Sequence, residues 1–378
     1  MVSLGLVSNK RESVGLIVVV SVISKNIVQR VRVGRSFRNV SQSVKDTQIY
    51  NGTGFLVENP KTSRPSIVSV AHIIPDAVNA ENSFYIKLFD RTTALPKIYK
   101  LRLNAYNRGI DIALFDFEEF NEPNQEYLTW NLGSLIPGQK CYLVGFPLAD
   151  SQLSIVSGSV RDPTYCFSDL ASGIDQIYHS APASSGNSGS CILDFSGNII
   201  GIHAWGYFQE NKITFENFTG GPSAKSIYPI IQHILDNPNK KQGSFFPRLT
   251  LGIQAKIIND LFRIVHFSNQ ALQNIDGILV SNIISNGSIE KHNSIGGNTK
   301  IEVDDIITQI FDYDKNDYVD IGYTREAPIN ILFKNPFQQN IKIKLKKSST
   351  NYDSESIVEI INAEVQNSNQ DTFYTNLL

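Results

Sequence analysis

The sequence predicts an all-β fold, a barrel or a sandwich, over residues 14–230, closed by a helix and followed by a second β-rich unit. Short β-branched and aromatic runs recur between Gly, Asn, Asp and Pro, the pattern of strands joined by tight turns. Residues 226–235 space their apolar side chains at helical intervals. Residues 237–249, with Asn-Pro-Asn-Lys-Lys-Gln-Gly-Ser, hold turn formers and little that a core would bury, and so form a linker.

Taken in order, residues 15–23 (GLIVVVSVI) are β-branched and end at Ser24-Lys25-Asn26, which makes them a first strand. They are too short to span a bilayer and lack a small-residue cleavage site, so neither a membrane span nor a secretion signal is expected. Further strands are expected at Gly54-Phe55-Leu56-Val57, Phe84-Tyr85-Ile86-Lys87-Leu88, Cys141-Tyr142-Leu143-Val144 and Asn198-Ile199-Ile200-Gly201-Ile202. In the helix, Pro229 is tolerable in the first turn. The second unit begins at Thr250-Leu251-Gly252-Ile253 and continues through Gly277-Ile278-Leu279-Val280-Ser281 to the strand Ile341-Lys342-Ile343-Lys344-Leu345. Residues 356–361 fit an extra strand or a short helix, and the polar end, 367–375, reads as flexible.

At 378 residues and 41% hydrophobic, the chain is long enough for two or three domains with real cores. Its 34 basic and 36 acidic side chains leave a net charge of -2, which gives no reason to expect nucleic acid or an anionic membrane as partner. Three cysteines, Cys141, Cys166 and Cys191, are an odd count without metal-type pairing, and they point to a reducing, intracellular and cytoplasmic setting. Cys191, close to Ser188, reads as a small buried hydrophobe. His179, His233, His266 and His292 show no ligand spacing, so no metal is expected. No phosphate-binding loop appears, so neither nucleotide nor any other cofactor is expected. Lys342, Lys344, Lys346 and Lys347 alternate along a strand as a solvated face.

The chemistry lies in three blocks. In Gly186-Asn187-Ser188-Gly189 the glycines allow a tight turn that presents Ser188 Oγ while nearby N–H groups converge. Upstream stand Ser69-Val70-Ala71-His72 and Asp111-Ile112-Ala113-Leu114. A serine hydroxyl is hardly ionised at neutral pH and needs a base. Histidine can take that proton and return it to the leaving amine, and a carboxylate fixes the imidazole tautomer.

These blocks, with Gly52-Thr53-Gly54-Phe55 and in the order His, Asp, Ser, resemble the signatures of trypsin-fold serine proteases. The Gly-Asn-Ser-Gly form is similar to the HtrA/Deg branch, although Ala71-His72 is the trypsin form of the histidine block. The resemblance implies an all-β double barrel of the chymotrypsin type with a C-terminal helix over residues 1–236. It implies Ser188 as nucleophile, His72 as base and acid, and Asp111 as orienting carboxylate, with the N–H groups of Gly186 and Ser188 as oxyanion hole. Residues 250–348 resemble a PDZ domain, which implies a smaller α+β unit followed by a C-terminal extension, 349–378. Asp304 stands where that family has glycine. The N–H groups of Leu251, Gly252 and Ile253 would then capture the terminal carboxylate of a peptide that adds as a strand. The alternative is a structural domain with a closed groove. A homotrimer is also implied.

In the trypsin fold, Pro182 would floor the primary pocket, which offers no acid for lysine or arginine. Ala183, His203, Ala204, Trp205 and Gly206 would form its walls. A histidine at 203 is similar to glutamyl endopeptidases and viral chymotrypsin-like proteases, in which it contacts an acidic or amide side chain. Ala183 removes the hydroxyl expected to orient it, leaving Ser184 or Ser185 to substitute. The alternative is a packed histidine beside a small aliphatic pocket. Two functions follow. One is an ATP-independent endopeptidase acting on unfolded or flexible proteins, with a PDZ-like domain that selects substrates. The other is a weak or gated protease-fold scaffold acting through peptide binding. A processing protease cutting a few partners at Glu or Gln sites combines them.

Overall fold

The computed structural model describes residues 7, 10–33, 36–62, 64–75, 80–89, 95–122, 125–149, 152–165, 174–206, 219–236, 244–245, 248–249, 251–258, 262–263, 270–285, 287–295, 299–313, 315–321, 340–361, 365–366 and 372–374. Six strands come first: β1 (Val14–Val33), β2 (Ser36–Val57), β3 (Ser66–Ser69), β4 (Ala80–Phe89), β5 (Pro96–Asn107) and β6 (Ile112–Phe117). Their pairings close a ring, β1-β2-β3-β6-β5-β4, because β4 returns to β1 and β5 to β6. Strand β1 runs well beyond the expected 15–23, pairing with β2 from Val14↔Phe55 out to Val33↔Ser36. Strand β4 covers only Leu16 to Ile23, so the outer half is a two-stranded ribbon.

A second sheet follows: β7 (Lys140–Gly145), β8 (Ser154–Tyr165), β9 (Gln176–His179), β10 (Cys191–Leu193), β11 (Ile199–Ile202), β12 (Trp205–Gly206) and β13 (Thr219–Pro222), in the order β11-β10-β7-β8-β9-β13-β12. It curls far enough that a bridge joins Gly201 to Ser223 just past β13. Successive residues of a strand face opposite ways. In β7, Cys141 and Leu143 accordingly enter this sheet's own core, while Tyr142 and Val144 join the cluster shared with the first sheet. A strand buried on both faces needs the unbroken apolar run that residues 141–144 supply.

Helix α1 (Ala224–Asp236) packs Ile227, Ile230, Ile231, Ile234 and Leu235 into the shared cluster. Each such side chain contributes roughly 1.5–3 kcal/mol of burial. The helix starts earlier than the periodicity predicts. Ser223 caps it, its hydroxyl and carbonyl both accepting the Ser226 N–H, at 3.3 and 3.1 Å. Pro229 therefore falls in the second turn, not the first.

Strand β14 (Ser244–Phe245) runs parallel to β5, which ties part of the expected linker to the first sheet, and β15 (Arg248–Leu249) follows it. The C-terminal unit comprises β16 (Ile253–Ile257), β17 (Ile278–Ile283), α2 (Ser288–Ile295), β18 (Ile306–Asp312), β19 (Asp317–Asp320), β20 (Ile341–Lys346), β21 (Glu355–Ile360), β22 (Val365–Gln366) and β23 (Thr372–Tyr374). Its sheet runs β21-β20-β18-β17-β16-β23, with β19 on β18, over a core that includes Leu251, Ile253, Val280, Ile289 and Ile343. Residues 356–361 thus contribute mostly to a strand. Part of the polar end read as flexible is also a strand, β23, which pairs in parallel with Gln254–Lys256. Asp304 has φ 72°, the left-handed conformation that favours glycine. Lysines 342 and 344 lie over Phe311 and Tyr318, and Lys347 bonds the fully buried Asp305 at 2.7 Å, so the alternating lysines are more engaged than a solvated face. No helix among the described residues is long and apolar enough to cross a membrane.

Candidate active site

His72 lies in a short 3-10 turn, Ala71–Ile73, directly after β3. Its neighbours Ala71 and Ile73 are buried, which leaves the histidine as the side chain turned outward, 43% exposed. Asp111 ends the turn that leads into β6. Asn107 Oδ1 accepts the N–H groups of Gly109 and Ile110, folding that turn, and Asp111 takes φ 55°. Aspartate tolerates this left-handed region better than most residues. Both Asp111 oxygens are used: one accepts the His72 N–H at 2.8 Å, the other meets Nδ1 at 2.7 Å. On the far side of the ring, Nε2 stands 2.7 Å from Ser188 Oγ.

Ser188 sits between two glycines in left-handed backbone, Gly186 at φ 92° and Gly189 at φ 85°. A Cβ on Gly189 would lie 2.1 Å from the Thr53 carbonyl oxygen and 2.3 Å from Ser69 Oγ, so no other residue fits. The polar groups of this turn form a one-sided account. The carbonyls of Ser184, Ser185, Gly186, Asn187 and Ser188 accept from Asn187 N–H, Leu148 N–H, Thr53 Oγ1, Ser190 N–H and Thr53 N–H. The N–H groups of Gly186 and Ser188 meet no acceptor among the described residues. Backbone donors near a nucleophile that lack a protein partner are suited to a developing oxyanion.

Burial pulls the His72 imidazole down, but the hydrogen bond and charge of Asp111 outweigh it, and the ring sits above its ordinary 6.5 against a smaller push from Arg108. Cys141 is pushed up to about 12 by burial, and Cys191, fully buried, is pushed up further. Both are free thiols that stay protonated, and Cys191 is the inert hydrophobe the sequence suggests. Cys166 lies outside the described residues, as does His266.

Around the expected pocket, Pro182 is exposed and forms no buried floor. Ala181 takes the inner position: its N–H donates to His179 Nδ1 at 3.2 Å, and its carbonyl, with that of His179, lies within reach of the Thr219 hydroxyl, at 3.2 and 3.1 Å. His203 is 4% exposed, and its Nδ1 has no partner among the described residues, so neither Ser184 nor Ser185 replaces the missing hydroxyl. Burial, reinforced by His179 and His72, keeps His203 well below 6.5 and therefore neutral. The His179 ring packs edge-on against it, centroids 5.6 Å apart, and burial lowers His179 to about 3. Trp205 is buried with its indole N–H on Gln176, while Ala183, Ala204 and Gly206 are half-buried. From the sequence, His179 was weighed only against metal-ligand spacing, Thr53 stood only inside the Gly52-Thr53-Gly54-Phe55 block, and Thr219 was not singled out.

In the C-terminal unit, Leu251 and Ile253 are fully buried and Gly252 has φ 71°. The carbonyls of Leu251 and Gly252 accept from Ile289 and Ile284. The loop is a tight turn leading into β16, whose one edge pairs with β17 and whose other edge pairs with β23. Among the described residues, no cluster of His, Cys, Asp and Glu is arranged to hold a metal.

Residues 52–202 match the family model of the trypsin-like peptidase domain. No curated protein matches the chain. Among solved structures, the HtrA-type protease AlgW with a decapeptide is similar, at 15% identity over 96% of this chain and 98% of that chain, TM-score 0.61. AlgW with a tripeptide is similar at 16% identity over 95% and 96%, TM-score 0.62. The serine endoprotease from Yersinia pestis matches at 15% identity over 96% and 98%, TM-score 0.53. At these identities the likeness is one of fold. The domain match and the fold together support a serine endopeptidase.

Proposed function

We propose that the chain is an ATP-independent serine endopeptidase that hydrolyses peptide bonds of unfolded or flexible proteins. The observation that carries this is the line Asp111–His72–Ser188, with two contacts of 2.7 Å spanning residues far apart in sequence. In this reading Ser188 Oγ attacks the scissile carbonyl carbon as His72 Nε2 takes its proton. Asp111 holds Nδ1–H and steadies the imidazolium. The carbonyl oxygen, now an oxyanion, meets the N–H groups of Gly186 and Ser188. His72 then gives its proton to the leaving amine, which departs and leaves an acyl-enzyme. Water, deprotonated by His72, attacks the ester and regenerates Ser188.

His203 would line the primary pocket. A neutral ring offers a hydrogen bond and not a charge, so glutamine, or glutamate held by a hydrogen bond alone, suits it better than lysine or arginine. In the C-terminal unit, the PDZ-like role falls to residues 250–348, with the turn at Leu251, Gly252 and Ile253 receiving a peptide terminus beside β16. The AlgW structures hold peptides, which supports a peptide-binding role here. A homotrimer belongs to the same proposal, supported by the HtrA-like fold, and an intracellular setting by the two buried free thiols. A gated scaffold is the second reading, favoured by β23, which already occupies the β16 edge.

The test is digestion of an unfolded protein, with cleavage sites mapped by mass spectrometry. Wild type should cut, with cuts enriched after Gln or Glu, and Ser188→Ala should not. Equal cutting by both would exclude Ser188, and absence of cutting by wild type alone and with C-terminal peptides would leave the scaffold.

A further inference from the structure

One residue of the first sheet supplies two of the clamps on the nucleophile turn, one through its backbone N–H and one through its side chain. Thr53, fully buried in β2, donates its N–H to the Ser188 carbonyl at 2.7 Å and its hydroxyl to the Gly186 carbonyl at 3.0 Å. The same hydroxyl accepts the Phe146 N–H, at 3.0 Å, from the end of β7. Its own carbonyl is held by Ser69 Oγ at 2.7 Å, three residues before His72. A hydroxyl has a single proton. With the Phe146 N–H on a lone pair, that proton is free for Gly186.

The Gly186 carbonyl belongs to the peptide lying between the two that carry the free N–H groups. In a trans peptide, C=O and N–H point in opposite directions. The Leu148 N–H fixes the Ser185 carbonyl at 2.5 Å and thereby aims the Gly186 N–H. Glycine is the residue freest to rotate, and at Gly186, φ 92°, the peptides on both sides are held, that of Ser185 by Leu148 and its own by Thr53.

We propose that Thr53 is a positioning residue for oxyanion binding: its hydroxyl, oriented by Phe146 N–H, locks the Gly186 carbonyl, and so the peptide that joins the Gly186 and Ser188 donors and sets their N–H groups relative to each other. The proposal rests on the endopeptidase reading of the same site. It also makes the oxyanion geometry depend on how the two sheets meet, since the clamp joins β2, the end of β7 and the nucleophile turn. A buried threonine with only a structural role would lower stability and leave turnover alone.

The experiment uses the full chain with Thr53→Val, which keeps the shape and loses the hydroxyl, and Thr53→Ser, which keeps the hydroxyl. With a peptide substrate well below the melting temperature, the valine variant should lose ~10- to 100-fold in kcat, less than outright loss of an oxyanion donor. Its KM should stay within about twofold. Affinity for a peptide boronate, which forms a tetrahedral adduct on Ser188, should fall in parallel. The serine variant should restore both. Unchanged kcat and boronate affinity in the valine variant would overturn the proposal even if its melting temperature drops. Absence of Ser188-dependent turnover in wild type would instead overturn the endopeptidase reading. Thr53 is then judged by backbone hydrogen exchange over residues 186–190. Exchange should be faster in the valine variant and restored in the serine variant; equal exchange in all three overturns the proposal.

Discussion

Asp111 binds His72 twice, through the backbone N–H and through Nδ1, so one carboxylate sets both the position and the tautomer of the ring. That pairing fixes the sign of the pH dependence. As the proposed base, His72 would work only when neutral, and Asp111 stabilises the protonated ring, lifting its pKa above 6.5. Activity should therefore be lost as pH falls through a value above 6.5. Asp111→Asn removes the lift. The acid limb of kcat/KM should move to lower pH while the plateau falls about 10⁴-fold, as tautomer control is lost. An acid limb that stays in place would mean that another group titrates. Ser188, His72 and Asp111 were legible in the sequence because the chemistry demands those residue types inside recognisable turns. His179 and Thr219 were not, because their pairing exists only once β9 and β13 lie side by side. Pro182 was placed by position in a fold rather than by packing, and the inner site went to Ala181, whose N–H and carbonyl both have partners.

At the scale of elements, β23 is the feature with the clearest consequence. It runs parallel to β16, from Thr372 beside Gln254 to Tyr374 beside Lys256, and so heads away from the turn at Leu251–Ile253. A peptide adding as a strand needs that same edge, whose N–H and C=O groups can pair with only one neighbour at a time. Deleting residues 367–378 should strengthen binding of C-terminal peptides at least ~10-fold, a differential of about 1.4 kcal/mol. Fluorescence anisotropy with a labelled peptide reads this directly, and unchanged affinity would show that β23 does not compete. Such a strand is hard to see in sequence: three residues in a polar tail have no periodicity, and their partner lies over a hundred residues upstream. Strands 54–57, 84–88, 141–144 and 341–345 were visible because burial of one or both faces imposes apolar runs or alternation. Helix α1 was visible for the same reason, but its start was not, because the Ser223 cap outweighs the apolar spacing.

For the whole molecule, the first two sheets share one hydrophobic cluster and meet at the site, with His72 and Asp111 from one and Ser188 from the other. Neither sheet holds the full set. The outer halves of β1 and β2 pair with each other as a two-stranded ribbon, which is marginal alone. Its extent was not legible from residues 15–23, because it is fixed by pairing with β2. On the proposed reading, the joined sheets make Ser188 a nucleophile. A fluorophosphonate probe, with intact-mass and peptide mapping on wild type and Ser188→Ala, measures this without knowledge of the substrate. Labelling should give one adduct, on Ser188, that forms faster as His72 loses its proton and is absent from the alanine variant. Absence of labelling across pH and in the presence of C-terminal peptides, or labelling that persists without Ser188, would contradict it.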